Sequence, residues 1–157
     1  ALERGERPWD TTRVDAEATL DRAIEVCSPL AQRRNMQIVI GPRAGRALVE
    51  GDADRLCQVL INLIKNAKEA CSRKEHPRIE VKMLPALSWQ CLITVSDNGE
   101  GILPEVQDKI FVPFFTTKPS GSGIGLSLCK QVMNRHGGNI TVQSTVGKGS
   151  CFTLLFG

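Results

Sequence analysis

Apolar residues recur at helical spacing, three and four positions apart, in three parts of the chain. The first part, residues 15–35, predicts an amphipathic helix whose regular portion Pro29 bends or ends. The second has the most continuous apolar stripe; Asp52 is suited to cap it, and it extends to about Arg73. The third, residues 124–135, is soon followed by two glycines, which is typical of a helix C-terminus. Each helix needs another layer against which to bury its apolar face.

Short runs of apolar and β-branched residues predict six strands: MQIVIG, RALVEG, RIEVKML, QCLITVS, NITVQS and SCFTLLF. Glycine and proline separate the first two, so we expect those two strands to form a hairpin. A turn containing Gly147 and Gly149 joins the last two. The layout is therefore helices on one face of a largely antiparallel sheet.

The ends of this pattern define one domain. Residues 1–13 are polar and include a glycine and a proline, so we interpret them as a tail or linker remnant and residues 14–157 as the domain. With 41% apolar residues in 157, the chain can bury one core. Residues 97–123 carry little periodicity beyond a possible helical turn at 105–110. A loop of that length inside a small domain is usually functional.

Composition and charge exclude several classes of function. Lys and Arg number 20 against 17 Asp and Glu, and the net charge of +3 is too small to predict binding of nucleic acid or an acidic membrane. The six scattered cysteines form no CxxC pair, so we interpret them as buried thiols of a protein in the reducing cytoplasm. No segment resembles a transmembrane helix or a signal peptide, and a membrane anchor elsewhere in a longer parent chain stays open.

The strongest predicted helix contains the segment NLIKNAKEA, whose polar residues Asn62, Asn66 and Glu69 fall together beside the apolar stripe. A neutral amide oxygen at such a position can ligate Mg²⁺, which accepts oxygen ligands and is normally shared with substrate phosphates. Two solvated asparagines would give the same pattern. Because asparagine is a poor helix former, the pair favours a functional role.

The segment DNGEGI follows the fourth predicted strand directly. A carboxylate at a strand end, here Asp97, can accept a hydrogen bond from an exocyclic amine. Gly99 and Gly101 let the backbone turn tightly against a flat ligand. Turn chemistry alone favours an ordinary Asp-Asn-Gly turn instead.

A second glycine cluster, GSGIGL, opens the third predicted helix. Glycines that expose backbone N–H groups at a helix N-terminus form an anion site, since the helix dipole also favours phosphate. The segment is neither a Rossmann fingerprint, because no strand precedes it, nor a Walker loop, because no Gly-Lys-Ser/Thr follows. A flexible loop that ends in a helix is the alternative.

Phenylalanines gather between the two glycine clusters, at Phe111, Phe114 and Phe115, and Lys118 follows them. Apolar anchors on a mobile lid, with one cation within reach of a phosphate, would suit a loop that closes over a nucleotide. Alternatively, these phenylalanines belong to the core.

The order of these segments over residues 52–157 resembles the ATPase and kinase superfamily shared by gyrase, the heat-shock chaperone ATPase, mismatch-repair ATPases and sensor histidine kinases. QVLINLIKNAKEA is similar to its asparagine box, SDNGEGI to its first glycine box and FVPFFTTK to its phenylalanine box. GSGIGLSLCKQVMNRHGGNITVQSTVGKGSCFTLLF is similar to the second glycine box with the closing strands. That stretch and FTTK resemble sensor histidine kinases of the nitrogen-regulation type.

The resemblance implies an α/β (α+β) two-layer sandwich, in which three helices pack on a mixed, mostly antiparallel sheet of about five strands, with an ATP lid. It implies ATP and Mg²⁺ as cofactors. Asn66, as the Mg²⁺ ligand, and Lys118, which would reach the terminal phosphates, are the catalytic candidates; Asp97 would hold the adenine amine. The other candidate nucleotide-binding residues are Asn62, Glu69, Gly99, Gly101, Ile102, Thr116, Thr117, Gly121, Ser122, Gly123, Ile124, Gly125, Leu126 and Ser150.

The chain departs from a complete kinase in two respects. Many histidine kinases carry a basic residue where this chain has Glu69. The phosphoacceptor motif, in which an acidic residue follows the reactive histidine, has no match, because Pro77 follows His76 and Gly137 follows His136. We interpret His136 as a helix C-terminal residue that contacts the last carbonyls, and His76 as solvated.

The function implied is that of the catalytic ATP-binding domain of a two-component sensor histidine kinase. It would deliver the γ-phosphate to a histidine on a separate phosphoacceptor domain of the parent, with a response regulator downstream. Hydrolases of the superfamily carry a glutamate at the position of Asn62, and an amide cannot act as the base, so we expect negligible ATP hydrolysis. An anti-sigma-type serine kinase and a silent nucleotide-binding adaptor are the alternatives. We expect the isolated domain to be monomeric and to have no nucleic-acid partner.

Overall fold

Four helices and seven strands make up the part of the chain that the computed structural model describes, namely residues 12–33, 37–40, 48–84, 91–115 and 125–157. In chain order they are β1 (Thr12–Asp15), α1 (Ala16–Arg33), β2 (Gln37–Ile40), β3 (Leu48–Gly51), α2 (Ala53–Ala70), β4 (Arg78–Leu84), β5 (Cys91–Asp97), α3 (Pro104–Gln107), α4 (Gly125–Arg135), β6 (Asn139–Thr145) and β7 (Gly149–Phe156). No helix within these residues is long and apolar enough to cross a membrane.

The main sheet has five strands in the order β2-β4-β5-β7-β6. Strand β2 runs parallel to β4, and every other neighbouring pair is antiparallel. Alternate residues of β4, β5 and β7 are buried, which gives the sheet one face packed under the helices and one partly exposed face. The mixed, mostly antiparallel sheet of about five strands and the two-layer α/β (α+β) architecture are confirmed.

The hairpin expected from MQIVIG and RALVEG is wrong. Strand β2 joins the edge of the main sheet beside β4, and β3 pairs instead with β1 in a separate two-stranded sheet. The sequence gives no sign of β1, because its four residues contain a single apolar side chain, Val14, which packs opposite Val49. Both valines are buried and belong to the core.

Helix α2 is the central helix of the layer, in contact with α1, α4 and the sheet. Its N-cap is Asp52, as expected, whose carboxylate accepts the N–H of Arg55 at 3.2 Å. The helix ends at Ala70, three residues before the expected end, because Cys71 caps it. Along α1 the helix continues through Pro29 to Arg33, so the proline does not end it.

The remaining elements follow the sequence pattern. Helix α4 begins within one residue of the expected position and is followed by Gly137 in a left-handed conformation, with φ of 70°. The predicted turn of helix before the phenylalanines is α3, a single turn. Strands β6 and β7 form the expected antiparallel hairpin. All six cysteines are free thiols, and five of them are buried.

Candidate functional site

Helices α2 and α4 lie side by side in opposite directions. Near the start of α2, the backbone N–H of Asp52 donates to Nε2 of His136, which follows the end of α4, over 3.0 Å. Near the middle of α2, the side-chain nitrogen of Asn62 lies 3.8 Å from Sγ of Cys129 on α4. Asn66 is one turn beyond Asn62, and the first residue of α4 is one turn before Cys129. Asn66 therefore lies level with the N-terminus of α4.

The two asparagines of α2 have different surroundings. The Asn62 oxygen accepts from Nε2 of Gln58 at 3.1 Å, and its nitrogen donates to the sulfur of Cys129. Burial raises the pKa of Cys129 to about 11, so its sulfur stays a neutral thiol. The oxygen of the Asn62 amide is thus occupied by a neighbour on α2, and its nitrogen by the packing of α2 on α4. Asn66 is one turn closer than Asn62 to the end of α2 that contacts the segment DNGEGI, so it is the better placed of the two to ligate a metal ion.

The segment DNGEGI, residues 97–102, is the first glycine segment, and it packs on the C-terminal end of α2. A Cβ at Gly99 would collide with the carbonyl oxygen of Ala70, and the N–H of Glu100 donates to that same oxygen at 3.2 Å. One of the unpaired carbonyls of the last helical turn is satisfied in this way. Ala70 is four residues beyond Asn66, so the glycine segment lies about 6 Å further along the axis of α2. Glu69 is exposed on this last turn.

Asp97 is the last residue of β5 and pairs with Ser150 of β7 in the sheet register. Its Oδ1 atom accepts the N–H of Gly99 at 2.8 Å, so the Asp-Asn-Gly turn expected from turn chemistry is present. A carboxylate offers about four acceptor positions, so it can accept more than one hydrogen bond. Burial, and after it the negative charge of Asp97, raise the pKa of the Cys71 thiol, which keeps that neighbour uncharged.

On the other side from α2, the first glycine segment contacts the turn of the hairpin formed by β6 and β7. Gly101 has φ of 78°, and a Cβ there would collide with the carbonyl oxygen of Thr145. The carbonyl oxygen of Glu100 accepts the N–H of Gly147 at 2.8 Å. The glycine segment is therefore held between the end of α2 and the turn of this hairpin, with no room for a side chain at either contact.

Ser144 joins several predicted site residues, although the sequence analysis did not single it out. Its Oγ accepts the N–H of Ile102 at 2.7 Å and lies 2.8 Å from Oγ of Ser150, which is buried. The side-chain amide of Gln107 donates to the carbonyl oxygens of Ile102 and Ser144, at 2.9 and 3.2 Å. Ser144 and Ser150 face each other across the predicted hairpin, so their matching positions on either side of the glycine turn were the available signal.

The three phenylalanines differ in their roles. Phe111 packs edge-on against Phe152, with ring centroids 6.4 Å apart, and Nζ of Lys130 lies 5.6 Å from the Phe111 centroid. Phe115 also packs against the core, whereas Phe114 is 78% exposed with a φ of 67°. The core interpretation therefore holds for Phe111 and Phe115, and Phe114 is the exposed residue of the group.

Part of the second glycine segment and of the lid lies outside the described residues. This group comprises Thr116, Thr117, Lys118, Gly121, Ser122, Gly123 and Ile124, whose roles stay predictions. Helix α4 begins at Gly125, where an added Cβ would meet no atom of the described residues within 4 Å. Leu126 is half-buried against the core. The N-terminus of an eleven-residue helix is suited to an anion.

The donors and acceptors of this region fit Mg²⁺ with ATP in type and in order. The carboxylate of Asp97 and the buried hydroxyl of Ser150 lie at one end, beyond Ala70. The Asn66 amide comes about one helical turn earlier on α2, level with the N-terminus of α4. An acceptor for an amine thus lies beyond the end of α2, and an oxygen ligand for a metal lies about one helical turn away, level with an anion site.

The comparisons with known proteins agree with this arrangement. Residues 51–157 match the family described as histidine kinase-, DNA gyrase B- and HSP90-like ATPase. The chain belongs to this family. The sensor histidine kinase ZraS of Salmonella typhimurium is 37% identical over 135 residues, which cover 86% of this chain and 29% of ZraS. The chain therefore spans less than a third of the length of this curated relative.

Two solved structures share the fold. The catalytic domain of histidine kinase ThkA, in a nucleotide-free form, superposes with a TM-score of 0.82 at 28% identity, covering 94% of this chain and 95% of that domain. ThkA in complex with the response regulator TrrA gives a TM-score of 0.80 at 27% identity, over 97% of this chain and 43% of ThkA. The domain is thus of the sensor histidine kinase type. The nitrogen-regulation type, the boundary at residue 14 and the roles of the individual site residues stay predictions.

Proposed function

We propose that this chain is the catalytic ATP-binding domain of a two-component sensor histidine kinase. It binds Mg·ATP and presents the γ-phosphate to a histidine on a separate phosphoacceptor domain of the parent protein. The observation that carries the proposal is the placement of Asn66 level with the start of α4, about one helical turn from the end of α2 where Asp97 lies. A metal ligand and an anion site thus stand together at one side and an amine acceptor at the other, as ATP needs them.

Each group has one task in this proposal. Asp97 accepts a hydrogen bond from the adenine amine, and Ser150 lies beside it across the sheet. Asn66 ligates Mg²⁺ through its amide oxygen. The N-terminus of α4 holds phosphate oxygens, and Lys118 neutralises charge on the terminal phosphate.

The described residues of the site favour transfer over hydrolysis. Bound Mg·ATP supplies the phosphoryl group, and the enzyme's contribution to such a transfer is mainly positioning and charge stabilisation. Asn62 stands where a hydrolase would need its base, and both ends of its amide are held by Gln58 and Cys129. An amide has no basic site for a proton, so we propose that the chain alone hydrolyses ATP negligibly.

The proposed partners are a phosphoacceptor helical domain of the same parent and, downstream, a response regulator. The structure of ThkA with TrrA supports a response-regulator partner for a kinase of this type. We also propose a cytoplasmic location, whether or not the parent is membrane-anchored. The six free thiols support it, because a reducing compartment keeps cysteines unpaired.

The first test is calorimetric titration of the chain with ATP, with and without Mg²⁺. The wild type should bind more tightly with Mg²⁺, and Asp97→Asn should weaken ATP binding about tenfold or more, the value of a lost charge-assisted hydrogen bond. Asn66→Ala should abolish the gain from Mg²⁺, whereas Asn62→Ala, one turn away on the same helix, should keep it. If the wild type does not bind ATP, the proposal is wrong.

The second test supplies the parent's own phosphoacceptor domain in trans with ATP labelled at the γ-position. An acid-labile, base-stable phosphoprotein is the expected product, since phosphohistidine is a phosphoramidate. An acid-stable product on a separate protein would instead support the serine kinase. Binding of ATP without any transfer would support the silent adaptor.

A further inference from the structure

His136 connects two helices at the end opposite the nucleotide site. Its Nδ1 atom lies 2.7 Å from the carbonyl oxygen of Val132 in the last turn of α4, as expected for a helix C-terminal histidine. Its other nitrogen, Nε2, accepts the backbone N–H of Asp52, the N-cap of α2, at 3.0 Å. This second contact joins residues 84 positions apart, and no local sequence pattern indicates it.

The two contacts require a single protonation state of the imidazole. A backbone N–H can only donate and a carbonyl oxygen can only accept, so Nε2 must be unprotonated and Nδ1 must carry the hydrogen. In the charged imidazolium both nitrogens donate, and the new N–H on Nε2 would face the N–H of Asp52. Protonation of His136 therefore removes the bond between α4 and α2.

The surroundings of the ring are built for this contact. A Cβ at Gly51 would collide with Cδ2 and Nε2 of His136, so glycine is needed beside the ring. Burial lowers the pKa of His136 below its ordinary value of 6.5, and Arg135 and Arg55 lower it further. The bond to Val132 and the charge of Asp52 act in the opposite direction. The neutral ring is thus the form that the fold holds at neutral pH.

We propose that His136 is a positioning residue for the nucleotide site. Its neutral ring fixes the register of α2 along α4, and this register sets the position of Asn66 relative to the N-terminus of α4. This inference rests on the proposed function. A slip of one residue along a helix displaces its side chains by about 1.5 Å. Misplacement by about 1 Å can cost on the order of a hundredfold in a reaction that depends on positioning. Asn62 and Cys129 make the next contact along the same interface.

The dependence on pH follows from the protonation state. Since the folded pKa of His136 lies below 6.5, the contribution of the bond is complete above about pH 6.5 and is lost as the pH falls through the folded pKa. Affinity for Mg·ATP should fall over the same range. His136→Gln serves as the control, because its amide oxygen can accept the Asp52 N–H but does not titrate.

The experiment measures Mg·ATP affinity by calorimetry at about pH 8 and about pH 5.5 for the wild type, His136→Gln and His136→Phe. The glutamine variant also corrects for ionisation of the nucleotide itself. At the higher pH, His136→Phe should bind about tenfold more weakly than the wild type, mainly in its Mg²⁺-dependent part, and the glutamine variant within about threefold. Between the two pH values the wild type should lose more affinity than the glutamine variant, and the difference should grow as the pH falls further towards the folded pKa of His136, which lies below 6.5.

Nitrogen-15 chemical shifts test the tautomer that the inference requires, while the Mg²⁺-dependent affinity and its pH profile give the readout that a purely structural role would not move. They should show His136 with hydrogen on Nδ1 above its pKa. Hydrogen on Nε2, equal pH profiles for the wild type and His136→Gln, or unchanged affinity in a folded His136→Phe would each overturn the inference while leaving the proposed function intact. If His136→Phe fails to fold, the pH profiles and the tautomer decide. A wild type that does not bind Mg·ATP at about pH 8 would instead refute the proposed function, and the inference with it.

Discussion

At the scale of single residues, the site depends on side chains that hold other side chains. Ser144 can affect nucleotide binding without contacting the nucleotide, because its hydroxyl orders both the backbone at Ile102 and the hydroxyl of Ser150. Ser150 is buried opposite Asp97, so its orientation affects the edge of the proposed adenine pocket. A buried hydroxyl keeps its direction only if it has a partner.

Replacing Ser144 tests this dependence. Ser144→Ala leaves the Ile102 N–H and the Ser150 hydroxyl without this partner, and we expect ATP affinity to fall about tenfold, which corresponds to one or two lost hydrogen bonds. Ser144→Thr keeps the hydroxyl on a β-branched residue that strands accommodate, so it should bind nearly as the wild type does. Calorimetry of both variants provides the measurement. Equal affinities for the alanine and threonine variants would contradict the role of the hydroxyl.

At the scale of elements, the first glycine segment is confined between α2 and the hairpin of β6 and β7. Gly101 and Gly147 both have left-handed backbones, with φ of 78° and 82°. Only Gly101 also faces a carbonyl oxygen where a Cβ would stand, whereas a Cβ at Gly147 would meet no atom within 4 Å. A substitution at Gly147 therefore tests backbone strain alone, whereas one at Gly101 tests backbone strain together with close packing.

Alanine substitutions at these glycines provide a matched pair. Gly147→Ala should lower the free energy of unfolding by about 1 kcal/mol, the cost of a left-handed alanine. Gly101→Ala should lower it by at least about 2 kcal/mol, because the collision with the Thr145 carbonyl adds to the same strain, and it should also weaken ATP binding. Urea denaturation of the two variants measures the difference. Equal losses would mean that the hairpin yields to the extra methyl group.

Sequence patterns predicted the elements whose signal is local. Helix α2 was predictable because its apolar stripe is continuous and Asp52 caps it, and β4 to β7 because each has a run of apolar residues. The pairing of β2 with β4 was not predictable, since parallel neighbours need a long crossover and β2 ends in the same turn residues that a hairpin would use. Strand β1 was missed because one valine in four residues gives no alternation.

The same distinction applies to the site. Asp97 and Asn66 stand in motifs that the chain displays in sequence, and the resemblance of those motifs, in their order, to a known superfamily singled these residues out. The contact of His136 with Asp52 joins distant parts of the chain, and neither residue is unusual among its neighbours. Gln107 likewise acquires its role only when α3 is placed against β6. Such supporting groups are defined by tertiary packing, which local patterns do not encode.

At the scale of the whole molecule, the core contains ionisable groups that are held neutral. Cys91 and Cys129 are almost fully buried, and burial raises the pKa of each thiol from 9.0 to about 11. Burial also raises the pKa of Cys27, Cys57 and Cys71. The unfolded chain exposes all these thiols to water, where they ionise near their ordinary value. The chain has no tyrosine, so no phenol titrates in the same range.

Stability should therefore decline on the alkaline side. Because the folded pKa of Cys91 and Cys129 exceeds the unfolded value, their contribution is complete below about pH 9 and is lost as the pH rises towards 11, by up to about 1.4 kcal/mol per pH unit for each thiol. Urea unfolding at about pH 8, 9 and 10 measures this slope. The double variant Cys91→Ala/Cys129→Ala should be less stable at about pH 8, owing to the cavities, yet lose stability less steeply. A slope as steep as that of the wild type would show that other groups cause the alkaline loss.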